Sequence, residues 1–150
     1  MDITVRFPEL NDLDEISVIE KLSHPHPWTE DLLKRQLENL SAINLLMTCE
    51  TGHVLSYIFS TYIKDEMEIH NIATHPDFRK KGYAKKIIRE LINIAMQKKI
   101  NDIYLEVRKS NVIARTLYSN LGFKAYLVRK KYYTDNNEDA VLMRYHIGYE

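Results

Sequence analysis

Glu66-Met67-Glu68-Ile69-His70-Asn71-Ile72-Ala73-Thr74, then Phe78-Arg79-Lys80-Lys81-Gly82-Tyr83-Ala84 and the run on to Ala95, is the stretch around which the chain is organised. Met67 to Thr74 is short and rich in Ile and Ala. After the turn, Ala84, Ile87, Ile88, Leu91 and Ala95 recur at three- and four-residue spacing, which is helical. The reading is strand, turn, helix. Arg79-x-x-Gly82-x-Ala84 fills the turn and opens the helix, so successive N–H groups without intrahelical partners point out of its start. Those amides, with the positive end of the helix dipole behind them, suit a phosphate. Gly82 permits close approach to the backbone, Ala84 keeps the first turn slim, and Lys80, Lys81, Lys85 and Lys86 gather positive charge. A solvated basic helix start is the alternative reading. The Gly-x-x-x-x-Gly-Lys-Ser/Thr and Gly-x-Gly-x-x-Gly loops are both absent.

Within the strand, Met67 and Ile69 keep period two and Ile72 breaks it, as one extra residue would. A bulge there would leave backbone groups unpaired beside the helix start. Downstream, Asp102 to Arg108 is a strand with Ile103, Leu105 and Val107 on one face and Tyr104, Glu106 and Arg108 on the other. A helix of crossover length separates these two strands, so they are expected to be parallel neighbours with a right-handed connection. Ser110 or Asn111 starts a short helix that ends at Gly122, a left-handed cap; Phe123 to Tyr133 and Ala140 to Ile147 are the last strands.

Upstream, Ile3, Val5 and Phe7 alternate in a strand that stops before Pro8. Asn11 or Asp12 caps a helix with Leu13, Ile16, Ile19 and Leu22 inward. His24-Pro25-His26-Pro27-Trp28 is a stiff link, and Thr29 caps a second helix, Glu30 to Leu40, with Leu33, Leu37 and Leu40 on its apolar face. Ile43 to Glu50 and Val54 to Ile63 form a hairpin around Thr51-Gly52-His53. The order β, α, α, β, β, β, α, β, α, β, β predicts a mixed α/β sheet, mostly antiparallel, with one parallel pair beside the presumed phosphate site.

The 150 residues read as a single domain, with 45% hydrophobic and 28% charged residues. Twenty-one basic and 21 acidic side chains cancel, so no overall field favours nucleic acid or an anionic membrane. The basic cluster is local and lacks interleaved aromatics for stacking on bases. With the single Cys49, no charged-then-apolar leader and no apolar run of membrane-spanning length, a cytoplasmic setting is expected. His24 and His26 lack a third ligand cluster, so no metal is expected. Trp28 either anchors the link by packing or walls a substrate groove.

Arg79-x-x-Gly82-x-Ala84 after Asn71-Ile72-Ala73, then Leu105-Glu106-Val107-Arg108, then Asn111-x-x-Ala114-x-x-Leu117-Tyr118-x-x-x-Gly122-Phe123, resembles the GNAT superfamily of acetyl-CoA-dependent N-acetyltransferases. The later segments, with Lys131-Tyr132-Tyr133 and Glu138-Asp139-Ala140, resemble its ribosomal-protein-alanine N-acetyltransferase branch. The resemblance implies a sheet whose parallel pair splays around acetyl-CoA, with helices on both faces. It implies that amides of Ile72, Ala73 and Thr74 hold the pantetheine arm and thioester, and those of Lys80, Lys81, Gly82, Tyr83, Ala84 and Lys85 the pyrophosphate. Asn111 would touch the coenzyme, Glu106 would be general base and Tyr118 general acid. The acceptor would be a small-subunit ribosomal protein that begins with alanine. The oligomeric state is left open.

The residues themselves allow those roles. Asn111 and Tyr118 are seven apart, two helical turns, and Glu106 ends the neighbouring strand on the face opposite its apolar row. A carboxylate can take the proton of an ammonium before it attacks a thioester, a bulge amide can meet the charge on the carbonyl oxygen, and a phenol can protonate the departing thiolate. Each also has a plainer reading: Glu106 an exposed strand residue, Tyr118 core, Asn111 a cap. An α-amine titrates near ~8 and a lysine near ~10.4, a gap of about 3 kcal/mol, so one carboxylate base suits a protein N-terminus better. Lysine or a small amine remains the alternative within enzymes, and an acetyl-CoA sensor the alternative outside them. Tyr132 and Tyr133 either pack or wall a peptide groove.

Overall fold

The computed structural model describes residues 1–148. Among the described residues seven strands form one sheet in the order β1-β2-β3-β4-β5-β7-β6. In the chain they are β1 (Ile3–Arg6), β2 (Ala42–Cys49), β3 (Val54–Ile63), β4 (Glu66–Thr74), β5 (Asp102–Arg108), β6 (Lys124–Tyr133) and β7 (Glu138–His146). The helices are α1 (Leu13–Ser23), α2 (Glu30–Glu38), α3 (Tyr83–Gln97) and α4 (Val112–Leu121), with single 3-10 turns at Leu10–Asp12 and Pro76–Phe78. Every neighbouring pair is antiparallel except β4 with β5.

Each face of the sheet has its own core. Ile87, Ile88, Leu91 and Ala95 of α3 bury against Leu45, Ile58, Met67 and Ile103. On the opposite face Ile16, Ile19 and Leu33 of α1 and α2 meet Leu46, Tyr57 and Phe59. Strand β3 is buried from Val54 to Ser60, because both faces of a central strand are covered.

The break in period in β4 is a bulge. Phe59 pairs with Asn71 and Ser60 with Ile69, so His70 has no partner on β3. Past it the faces exchange: Ile72 packs with the α3 core as Met67 and Ile69 do, whereas Ala73 belongs to the α1 side. The parallel pairing covers only Glu66↔Asp102, Met67↔Ile103 and Glu68↔Tyr104. Beyond Glu68 the two strands part and the sheet opens.

Several local expectations change. Helix α2 ends at Glu38 and Leu40 is 98% exposed, because Asn39 leaves the helix in an extended conformation. Leu22 is exposed, and Ser17 and Glu20 take inward positions on α1 in its place. Neither Asn11 nor Asp12 caps α1 with its side chain; Asp12 instead accepts from the Arg6 guanidinium at 2.7 and 2.9 Å and from the Glu9 N–H at 2.7 Å. Phe7 is exposed beyond the end of β1. Strand β6 carries two register shifts, one between Arg129 and Tyr133 where Lys131 has φ 52°, so it is not one regular strand.

Candidate functional site

Helix α3 begins at Tyr83, and Gly82 before it is left-handed with φ 81°. The first helical bond of its backbone is Lys86 N–H to Gly82 C=O, so the N–H groups of Tyr83, Ala84 and Lys85 project from the helix start. A Cβ on Gly82 would meet no atom of the chain within 4 Å. The glycine is therefore there for its backbone conformation, and the space beside it is free for a ligand. Lys80 is also left-handed, φ 62°. Arg79 reaches the other way, from Nε to the Thr74 carbonyl and from Nη2 to Ser23 Oγ, both at 3.1 Å.

The three bulge-side amides do not face the same way. The His75 N–H bonds the Leu55 carbonyl, and backbone groups alternate in direction along a strand. Ala73 therefore directs its N–H at β3, and its carbonyl also accepts from Ser56 Oγ. Ile72 and Thr74 turn theirs toward the opening.

A cavity of about 440 Å³ passes through the gap between β4 and β5. It brings together Ile72, Glu106, Asn111, Tyr118 and Tyr133, with Ser23, His24 and Pro25 on the far side. Glu106 is half-buried and also borders a second cavity of about 340 Å³ with Glu68, Tyr126 and Arg129. It faces Tyr132 and Tyr133: as a hydrogen-bond acceptor and a negative charge it raises the Tyr132 phenol, and it adds to the burial that raises Tyr133. Arg108 lies over the Tyr133 ring at 4.0 Å and binds Asp135 at 3.0 Å.

Tyr118 is 6% exposed and packs with its ring tilted against Phe123 at 5.8 Å. Burial pushes its phenol up to about 12. Asn111 caps α4, its Oδ1 accepting from the Ala114 N–H at 3.2 Å, and Gly122 ends that helix with φ 110°. Trp28 packs on Phe59 at 6.0 Å and also borders a cavity of about 210 Å³ with His24, His70 and Asn71. Tyr132 stands edge-on to Tyr133 at 5.3 Å, outside the main cavity.

His24 and His26 turn to carboxylates, Glu20 at 3.6 Å and Asp135 at 3.1 Å. No group of three or more metal-ligating side chains occurs among the described residues. Cys49 is half-buried, 3.0 Å from Thr51 Oγ1. No helix among the described residues is long and apolar enough to cross a membrane.

Sequence reading missed the fully buried Glu20. A signal was present: it stands four residues after Ile16, on the apolar face of α1.

A sheet opened between two parallel strands, with a bare helix start below and a carboxylate and a phenol in the gap, is the frame of an acyl-transfer enzyme. The chain belongs to the Acetyltransferase (GNAT) family, whose profile matches residues 13–123. It is 36% identical over 137 residues to the [Ribosomal protein bS18]-alanine N-acetyltransferase of Haemophilus ducreyi, covering 88% of this chain and 92% of that protein. The enzyme of that name from Escherichia coli K12 is 31% identical over 142 residues, 93% and 95% of the two chains. The crystal structure of the ribosomal-protein-S18-alanine N-acetyltransferase from Escherichia coli superimposes with a TM-score of 0.93 at 30% identity, over 99% of this chain and 96% of that one.

Proposed function

We propose that this protein transfers the acetyl group of acetyl-CoA to the α-amine of an N-terminal alanine, that of ribosomal protein bS18, in the cytoplasm and by direct attack in a ternary complex. The observation that carries the reading is the cavity through the parted strands, which gives Glu106 and Tyr118 access to one space from both faces of the sheet. The relatives in the two bacteria supply the acceptor.

The residues present fit the coenzyme. The N–H groups of Tyr83 to Lys85, with Lys80, Lys81 and the open side of Gly82, would hold its pyrophosphate. The N–H groups of Ile72 and Thr74 would hold the pantetheine arm and polarise the thioester carbonyl, and Asn111 would touch the coenzyme with its amide nitrogen. Acetyl-CoA supplies the activated acyl group. Glu106 takes the proton of the ammonium, directly or through water, and so frees the lone pair that attacks.

Tyr118 faces the departing sulfur. An alkyl thiol titrates near ~8.5. A phenol raised to about 12 stays protonated and donates a hydrogen bond to the developing thiolate as its general acid, and the second proton, given up by the acylated nitrogen, makes good the one the thiolate takes.

Gly82→Ala is expected to lower stability by about 1 kcal/mol through the left-handed φ, and to raise the KM for acetyl-CoA several-fold, because the new methyl enters the open space beside the helix start. Denaturant titration and initial rates separate the two effects. An unchanged KM would remove the start of α3 from the coenzyme site.

Thiol release from acetyl-CoA with two peptides tests the function: one lysine-free with an open alanine N-terminus, the other N-terminally blocked with an internal lysine. Turnover of the first alone, with the acetyl group placed by mass spectrometry, is expected. Turnover of the second alone would overturn the acceptor assignment.

A further inference from the structure

Glu20 is the one acidic side chain among the fully buried described residues, and it lies in the last turn of α1. Its Oε1 accepts from the Tyr57 hydroxyl at 2.6 Å and from Asn71 Nδ2 at 2.7 Å; its Oε2 accepts from the Trp28 N–H at 2.9 Å. His24 Nε2 stands 3.6 Å from Oε1. Three separate segments thus end on one carboxylate: β3 through Tyr57, the bulge of β4 through Asn71, and the α1–α2 link through Trp28. Burial and the Glu20 carboxylate hold the Tyr57 phenol well above its ordinary range, so that hydroxyl stays a donor.

A buried ionic group is weak support for stability as such. Its placement here is more informative. Asn71 follows the unpaired His70, and the link carries His24, Pro25 and Trp28. These residues wall the cavity of about 210 Å³, which adjoins the main cavity at His24, Pro25, His70, Asn71 and Arg108. Helix α3 and its free N–H groups lie on the other face of the sheet. Glu20 therefore ties together the two walls on one side of the opening and touches nothing on the α3 side.

We propose that Glu20 is a positioning residue for the acceptor: it holds residues 24–28 against the bulge at 70–71 and so sets the width of the entrance through which the amine reaches Glu106. The proposal rests on the acceptor reading above.

Glu20→Gln tests it, because an amide cannot accept from all three donors. It satisfies either Tyr57 and Asn71 or the Trp28 N–H, and its NH2 then faces a donor. Adding Asn71→Asp removes the conflict: the amide oxygen takes the Trp28 N–H, and the NH2 and the Tyr57 hydroxyl donate to the new carboxylate. In Glu20→Gln the peptide KM is expected to rise about tenfold, with the KM for acetyl-CoA within about twofold of wild type. Amide hydrogen exchange over residues 24–28 is expected to speed up. The double variant should recover both.

An unchanged peptide KM in the folded single variant, an equal rise in the acetyl-CoA KM, or a folded double variant without recovery would each overturn the proposal. If the single variant does not fold, the double variant decides: a wild-type peptide KM supports the role and a raised one refutes it. Wild-type protein that ignores the peptide would count against the acceptor reading. Hydrogen exchange over residues 24–28 still decides the hold of Glu20 in that case, and unchanged exchange in the single variant refutes it.

Discussion

Glu106→Gln is expected to lower kcat/KM for an alanine-starting peptide by about 10²- to 10⁴-fold at neutral pH, the range typical of a lost general base. The amide keeps the shape of the carboxylate and cannot accept a proton. Binding of acetyl-CoA should persist, because the helix start that would hold its phosphates lies on α3, apart from β5. An α-amine titrates near ~8, so at neutral pH most of the acceptor is protonated. The variant can use only the free-amine fraction, and its rate should climb with pH and level off above about pH 9. Steady-state rates across that range check this. A variant with wild-type rate at neutral pH would show that the ammonium proton leaves by another route.

Tyr118→Phe is expected to lower kcat by about 10- to 100-fold, the value of one hydrogen bond to a charged group. The peptide KM should be unchanged, since the hydroxyl meets the sulfur rather than the amine. With the phenol raised to about 12, Tyr118 stays protonated through neutral and mildly alkaline pH, so it should add no falling limb to the rate profile there. The sign for stability follows the same shift. The folded value lies above the ordinary 10.0, so the contribution of the buried neutral phenol is intact below that value and is lost as pH rises toward about 12. Single-turnover rates of the variant, measured with saturating acetyl-CoA, decide between a chemical role and packing alone. A Phe variant with full kcat would leave Tyr118 as core, packed against Phe123.

Much of this was legible because it is local. The change of hydrophobic period from two to helical spacing locates β4, the turn and α3, and the residue out of step at Ile72 shows the bulge that leaves His70 unpaired. Thr29, Asn111 and Gly122 mark helix ends because a cap is made within a few residues of the turn it satisfies. Leu22 and Leu40 misled because apolar spacing alone tells neither that Ser17 and Glu20 take the inward face of α1 nor that α2 stops at Glu38.

The sequence by itself determined the order of elements and the parallel pair. Those follow from periodicity, capping chemistry and the length of the helix between the two strands, all of which are read along the chain. Only the tertiary structure decided how far β4 and β5 stay paired, that Ala73 turns its N–H into the ladder, that burial raises Tyr118, and that Glu20 collects donors from three segments. Each of these depends on residues tens of positions apart meeting in space. A strand's free edge, a phenol's pKa and a carboxylate's partners are properties of what packs against them, which no local pattern encodes.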